Sequence, residues 1–161
     1  MTLADATEMA GFFVAHAVWC VEDGETLVPI VAHPDCEGKR VMLRVESEDS
    51  RVSVATAKES VAKLAEAQGA AVLIYDSFVT LGSWRTDSLM VEIQADAARM
   101  VMAVPYRNAA DAAGFAVFRP KFVSCSEARA DYESLGSAFF RGVDSHQKGS
   151  AAWTKHLDQS R

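Results

Sequence analysis

Three charged residues sit where a strand pattern would otherwise carry apolar ones: Asp76, Arg85 and Asp87. They belong to the stretch AAVLIYDSFVTLGSWRTDSLMVEIQA, residues 70–95. Val72 to Leu81 is rich in β-branched and aromatic residues, as strands are. Gly82-Ser83 then offers a two-residue loop, with glycine at the first central position, where a type II′ turn requires a positive φ. That turn sets Leu81 opposite Trp84. Counting back, it sets Thr80 opposite Arg85, Phe78 opposite Asp87, Asp76 opposite Leu89, Ile74 opposite Val91 and Val72 opposite Ile93. Side chains alternate with period two, so the pairs from Thr80 back share one face of the hairpin. Its inner part is apolar, and its turn-ward end holds the two acids and the arginine beside Phe78.

In this register Asp76 and Asp87 are diagonal neighbours, about 7–8 Å apart at the backbone and closer at the side chains. Two carboxylates at such range split their pKa values, divide acid and base roles, or hold a divalent cation. Arg85 has the geometry to bind an anionic substrate or to pair with the aspartates. Asp76, Asp87 and Arg85 are therefore the candidate catalytic residues. A plainer arrangement accounts for them equally: the core ends at Phe78 and the charges neutralise one another in solvent, as is ordinary near a hairpin tip. A second candidate is the most basic local cluster of the chain, Arg107, Arg119 and Lys121 with Tyr106 beside it. It fits a ligand-binding site for a phosphate or carboxylate. It fits equally a row of edge charges that blocks strand-to-strand aggregation.

The hairpin is positioned by what flanks it. Leu3 to about Val21 reads as a helix, capped by Asp5 or Thr7. Phe12, Ala15, His16 and Trp19 form its apolar stripe, and Met9, Phe13 and Val14 broaden it beyond what one sheet face covers. His16 in that stripe reads as a hydrogen-bonded core histidine. Glu25–Ala32, with Pro29 inside, reads as a strand that lies at a sheet edge or carries a bulge. Lys39–Glu46 alternates cleanly and pairs with it. Ser53–Gln68 is the second helix, ended by Gly69. After the hairpin, Asp96-Ala97 turns the chain into Arg99–Tyr106, and Phe115–Val123 follows as the last strand. Ser124-Cys125-Ser126-Glu127 has capping-box spacing and opens a helix running to about Arg141. The order α-β-β-α-β-β-β-β-α, with short turns between successive strands, predicts an α+β domain over residues 1–141. Its mostly antiparallel sheet has about six strands, with helices packed on one face. Residues 142–161 are expected to form a tail, docked through Trp153 and Leu157 on the domain or on a second subunit.

Composition bounds the function. Half of the 161 residues are hydrophobic, so a substantial core is expected. The net charge of -6 argues against general binding to nucleic acid or to an anionic membrane. Cys20, Cys36 and Cys125 form no paired spacing, so neither a disulfide framework nor a structural zinc site is expected, and no metal ligands are assigned. His33-Pro34-Asp35-Cys36-Glu37 gathers ligand-type residues at spacing that matches no metal pattern. The apolar run Met9–Val21 follows acids rather than lysine or arginine, unlike a secretory signal, and a cytoplasmic location is expected. No phosphate-binding glycine loop, dinucleotide fingerprint, G-x-S-x-G or H-E-x-x-H occurs, and no cofactor is expected. The surplus of apolar surface on the hairpin and the first helix predicts a homodimer. The reading that follows is a small acidic binding or assembly protein without catalysis, with a protein partner or small anionic ligand. Its alternative is a small-molecule enzyme working through Asp76 and Asp87. Small acidic secretion chaperones have a comparable mix of elements, a similarity of fold class that no motif carries.

Overall fold

Thr2 and Asp5 set the first helix. The Thr2 hydroxyl accepts the Asp5 amide while the Asp5 carboxylate accepts the Thr2 amide, a reciprocal cap that begins helix α1, Leu3–Val21, earlier than the expected caps at Asp5 or Thr7. The computed structural model describes residues 1–161, Ser50 by its backbone alone. Strand β1 is Ile30–Pro34 and β2 is Arg40–Arg44. Helix α2, Ser50–Gln68, is capped by Asp49 and closed by Gly69 in the left-handed region. The hairpin strands are β3, Ala70–Leu81, and β4, Trp84–Ala95; β5 is Ala98–Arg107, β6 Ala116–Val117 and β7 Lys121–Cys125. Helices α3, Tyr132–Asp144, and α4, Gln147–His156, end the chain. Among the described residues, no helix is long and apolar enough to cross a membrane.

The class is α+β, with one seven-stranded antiparallel sheet in the order β2-β1-β3-β4-β5-β6, and β7 also on β5. The central hairpin has the register expected from its turn, Leu81 opposite Trp84 through Asp76 opposite Leu89 to Val72 opposite Ile93. Gly82 has φ +63° and Ser83 a negative φ, the signs of a type II′ turn.

The strand expected at a sheet edge is interior, with β1 between β2 and β3 and Pro29 just ahead of it, and three further features depart from the sequence expectation. First, the helices lie on both faces of the sheet, not one. Ile30, Ala32, Val72, Ile74, Leu89, Val91 and Ile93 pack under α1, while Val31, Ala71 and Leu73 on the other face pack under Ala57 and Val61 of α2. Each of β1 and β3 is apolar on both faces at its buried end, so each face needs its own cover. Second, the single strand expected over 115–123 is two. Arg119-Pro120 interrupts the ladder, because proline has no amide to give it. Third, no helix starts at Ser124. Ser124 and Cys125 pair with Val101 and Met100, and Ser126 exchanges hydrogen bonds with Arg99, so sheet pairing claims the residues that had capping-box spacing. The working cap is Asp131, whose carboxylate accepts both the amide and the hydroxyl of Ser134.

Helix α1 finds its additional cover within the chain. It crosses α3 at glycine contacts: a Cβ on Gly11 would stand 1.9 Å from the Phe139 carbonyl, and one on Gly142 1.9 Å from the Glu8 carbonyl. Only glycine allows backbones that near. Residues 142–161 complete α3 and form α4, with Trp153 buried against Phe139 and the Asp158 amide donating to the Val117 carbonyl. The tail docks on its own domain.

Candidate functional site

The hairpin face brings Asp76 and Asp87 together, and β5 adds a third residue. Asp87 stands opposite Tyr106. The Tyr106 ring is buried, and its hydroxyl reaches across β4 to donate to Asp76 Oδ1 at 2.9 Å. Asp76 is half-buried, and burial raises its pKa above the ordinary carboxylate value; the Tyr106 hydrogen bond opposes this and the Asp87 charge adds to it. Burial also raises Asp87. The Tyr106 phenol is pushed far up by burial and by the aspartate beside it, so it remains a donor throughout the neutral range. The cluster is thus two acids biased towards protonation, one of them hydrogen-bonded by a phenol that keeps its proton at neutral pH. Such a pair can take up and release a proton, or hold a hydroxyl or amine by hydrogen bonds.

Arg85 does not complete this cluster. Its guanidinium stacks on the exposed Phe78 ring, 4.9 Å from the centroid, and it forms no ion pair among the described residues. Asp87, Phe78, Arg85 and Arg107 line an open groove of about 560 Å³ at the hairpin tip, with Asp111 on its rim. Asp76 stands behind this groove, not in its wall. No group of three or more His, Cys, Asp and Glu gathers among the described residues.

The basic cluster of the sequence is dispersed. Arg107 gives its Nε to the Gly114 carbonyl at 2.7 Å and so closes the loop that follows β5. Arg119 is exposed and donates to Gln159. Lys121 pairs with Ala103, well down β5 from Arg107. Tyr106 belongs with the aspartates rather than with these cations. The Asp96-Ala97 turn carried that information: counting back from it residue by residue puts Tyr106 opposite Asp87.

Two further sites were not singled out by motif. One is an apolar groove of about 360 Å³ between β7, α3 and the chain end. Phe122, Phe139, Phe140, Leu157, Met102 and Pro120 line it, with Arg119 and Gln159 as its polar members. Phe140 is 42% exposed and Leu157 36%, so the apolar surface reaches solvent. Gly136 contributes no side chain to the wall, and a Cβ there would meet nothing within 4 Å. The helix α3 stripe expected from the sequence (Tyr132, Leu135, Phe139) identifies the buried side of the helix. It does not identify the space beside Gly136, which depends on where β7 and the chain end pass.

The other is a histidine pair. His16 Nδ1 lies 3.2 Å from His146 Nε2, and His146 Nδ1 accepts the Gly149 amide as the cap of α4. A nitrogen that accepts carries no proton, so His146 is protonated at Nε2 and donates to His16. Burial lowers the pKa of both rings, and for His16 the nearby His146 and Arg44 lower it further. His16 is the hydrogen-bonded histidine expected of that stripe.

Comparison of the chain with protein-family models, with curated proteins and with solved structures gives no match.

Proposed function

We propose that this chain is a small acidic binding or assembly module that works as a homodimer and does no chemistry of its own. The groove beside Gly136 carries the reading. It is concave, apolar and open, and its mouth holds one exposed cation, Arg119. That combination suits an apolar side chain or a small apolar ligand with an anionic end, because the apolar part is desolvated while the charge stays at the rim. Exposed Tyr132, at 47%, packs on Phe122 and extends the apolar surface around it. Patches of this kind mark interaction sites on domains of this size.

The test has two arms. Sedimentation at tens of micromolar is expected to give a dimer, and a monomer overturns that half of the reading. Anilinonaphthalenesulfonate, an apolar ring with one negative group, is expected to fluoresce on binding the native protein and to lose the signal when the groove is filled.

A second reading is favoured by one observation: Asp76 and Asp87 converge on Tyr106 with raised pKa values and without a neutralising arginine. Perturbed carboxylates gathered in this way are common at catalytic sites. Here the chain would be a small-molecule enzyme that uses the pair for proton transfer. A thermal-shift screen of metal ions and metabolites on the native protein and Asp76→Asn separates the two. A ligand that raises the Tm of the native protein alone supports catalysis, and equal responses dismiss it.

A further inference from the structure

A second surface, remote from the groove, has a continuous contact pattern of its own. Phe12, His16 and Trp19 fall on one stripe of α1 and remain half-buried after α3, α4 and the sheet have packed. Three cations from other elements surround that stripe. The Arg40 guanidinium of β2 stacks on Phe12 at 4.4 Å, and the Lys148 ammonium of α4 stacks on Trp19 at 4.6 Å. Arg44, four residues along β2, lies within electrostatic reach of His16 and the Cys20 thiol. Met42 stands between the arginines on the same strand face and is 37% exposed. His146 joins the rings, 4.7 Å from Phe12. Arg40, Arg44 and Lys148 are all exposed, and none has an acidic partner within 4 Å among the described residues.

Unpaired cations held over aromatic faces retain full charge for a ligand while their stems are already ordered. In a chain of net charge -6, three of them on one face, none ion-paired, form a local concentration of the opposite charge; Glu8, which shares a shallow pocket with Arg40, is itself paired with Arg141. From this charge complementarity we propose that the α1–β2–α4 face docks an acidic segment of a partner protein. The carboxylates of that segment pair with Arg40, Arg44 and Lys148, and an apolar side chain lies on Met42 and Phe12. A second copy of this chain is the wrong occupant: a two-fold contact here would set the same cations against each other. A long polyanion is also disfavoured, because it would run beyond the patch onto a surface more acidic than the chain as a whole. The proposal is independent of the groove beside Gly136.

The experiment uses the whole chain and a fluorescein-labelled twelve-residue peptide of glutamates and leucines, followed by anisotropy at low salt. The native protein is expected to bind it, with affinity falling as salt rises. Arg40→Ser, Arg44→Ser and Lys148→Ser together are expected to weaken binding by about tenfold, the scale of three exposed ion pairs. All three side chains are exposed, and an unchanged Tm confirms that the fold is retained. Should Tm fall, Lys148→Ser alone, an exposed position in the first turn of α4, is expected to show a smaller loss of the same sign. Gly136→Leu, which fills the groove, is expected to leave peptide binding intact. Failure of the native protein to bind, equal binding by the triple variant, or tighter binding of a single-stranded DNA oligomer or phosphatidylserine vesicles would overturn the proposal.

Discussion

Gly136→Leu separates binding from stability because the two are expected to move in opposite directions. Gly136 lies in the interior of α3 with an ordinary helical φ. Glycine there gives away about 1 kcal/mol of helix stability relative to alanine, and leucine is nearly as good a helix former. Most such replacements in a packed helix create a clash, as they would at Gly142 of the same helix. At Gly136 the added Cβ has no neighbour within 4 Å, and the residue borders the groove of about 360 Å³. The leucine side chain therefore enters the groove and meets Phe140, Phe122 and Leu157 there. It buries apolar area on both sides of the gap, at about 25 cal/mol per Å².

The expected outcome is a gain of about 1 kcal/mol or more in folding free energy, which for a domain of this size raises Tm by about 2–4 °C per kcal/mol. The assay pairs a thermal melt with a fluorescence titration of anilinonaphthalenesulfonate on the same samples. A raised Tm with the dye signal lost is the expected pair of results. A lowered Tm would mean that the space is not there. A raised Tm with the dye still bound would mean that the groove is not the binding site, and the reasoning from its lining would fail.

Other perturbations bear on the aspartates, the helix crossing and the histidines. Tyr106→Phe removes a side-chain hydrogen bond to the half-buried Asp76 carboxylate and is expected to destabilise the fold by about 1.5–3 kcal/mol, read by denaturant titration. Asp76→Asn keeps an acceptor for Tyr106 while removing a charge that burial and Asp87 both disfavour. It is expected to raise Tm at neutral pH, with the difference closing as pH falls through the Asp76 titration, since the folded state holds that proton more tightly than the unfolded one. Gly142→Ala drives a Cβ into the Glu8 carbonyl and is expected to lose about 1–3 kcal/mol by overpacking, visible as a lowered Tm. The histidine pair sets a pH dependence of the opposite sign. With burial holding both His16 and His146 below 6.5, and Arg44 adding to this at His16, the unfolded chain takes protons first. Stability is therefore expected to be full above about pH 6.5 and to fall below it, and His146→Asn, which retains a cap acceptor, flattens the profile.

Much of the architecture was readable because short-range chemistry fixes it. Gly82 accommodates the positive φ that a type II′ turn requires, and the period-two alternation then assigns every side chain of β3 and β4 to a face. From that alone Asp76 and Asp87 fall on the same side. Tyr106 was assigned to the wrong neighbours because its register depends on a second turn, at Asp96. There the positive φ is carried by aspartate, a weaker signal than glycine. The groove and the basic face were illegible for a different reason. Arg40, Lys148 and Phe12 come from three elements, and their meeting depends on how α1 crosses α3 and where α4 returns. Gly11 and Gly142 determine that crossing, yet nothing in the sequence pairs one with the other.

The same crossing alters the argument for a homodimer. The apolar excess of α1 looked like surface awaiting a partner, but α3 and α4 cover it within the chain. The apolar area left over lies elsewhere. Helix α2 lies over β1 and β3 and scarcely reaches β4. On that face Met90 of β4 and Val101 of β5 are half-buried without a helix above them, and Val123 of β7 is 52% exposed. The basic α1–β2–α4 face repels its own copy. A two-fold partner is therefore best placed on the uncovered half of the α2 side, where like meets like without burying unpaired charge. An assembly built in that way leaves both the groove beside Gly136 and the cationic stripe of α1 free on each subunit. On the proposed dimer, a single Val101→Lys substitution is expected to give monomers in sedimentation while leaving dye and peptide binding unchanged.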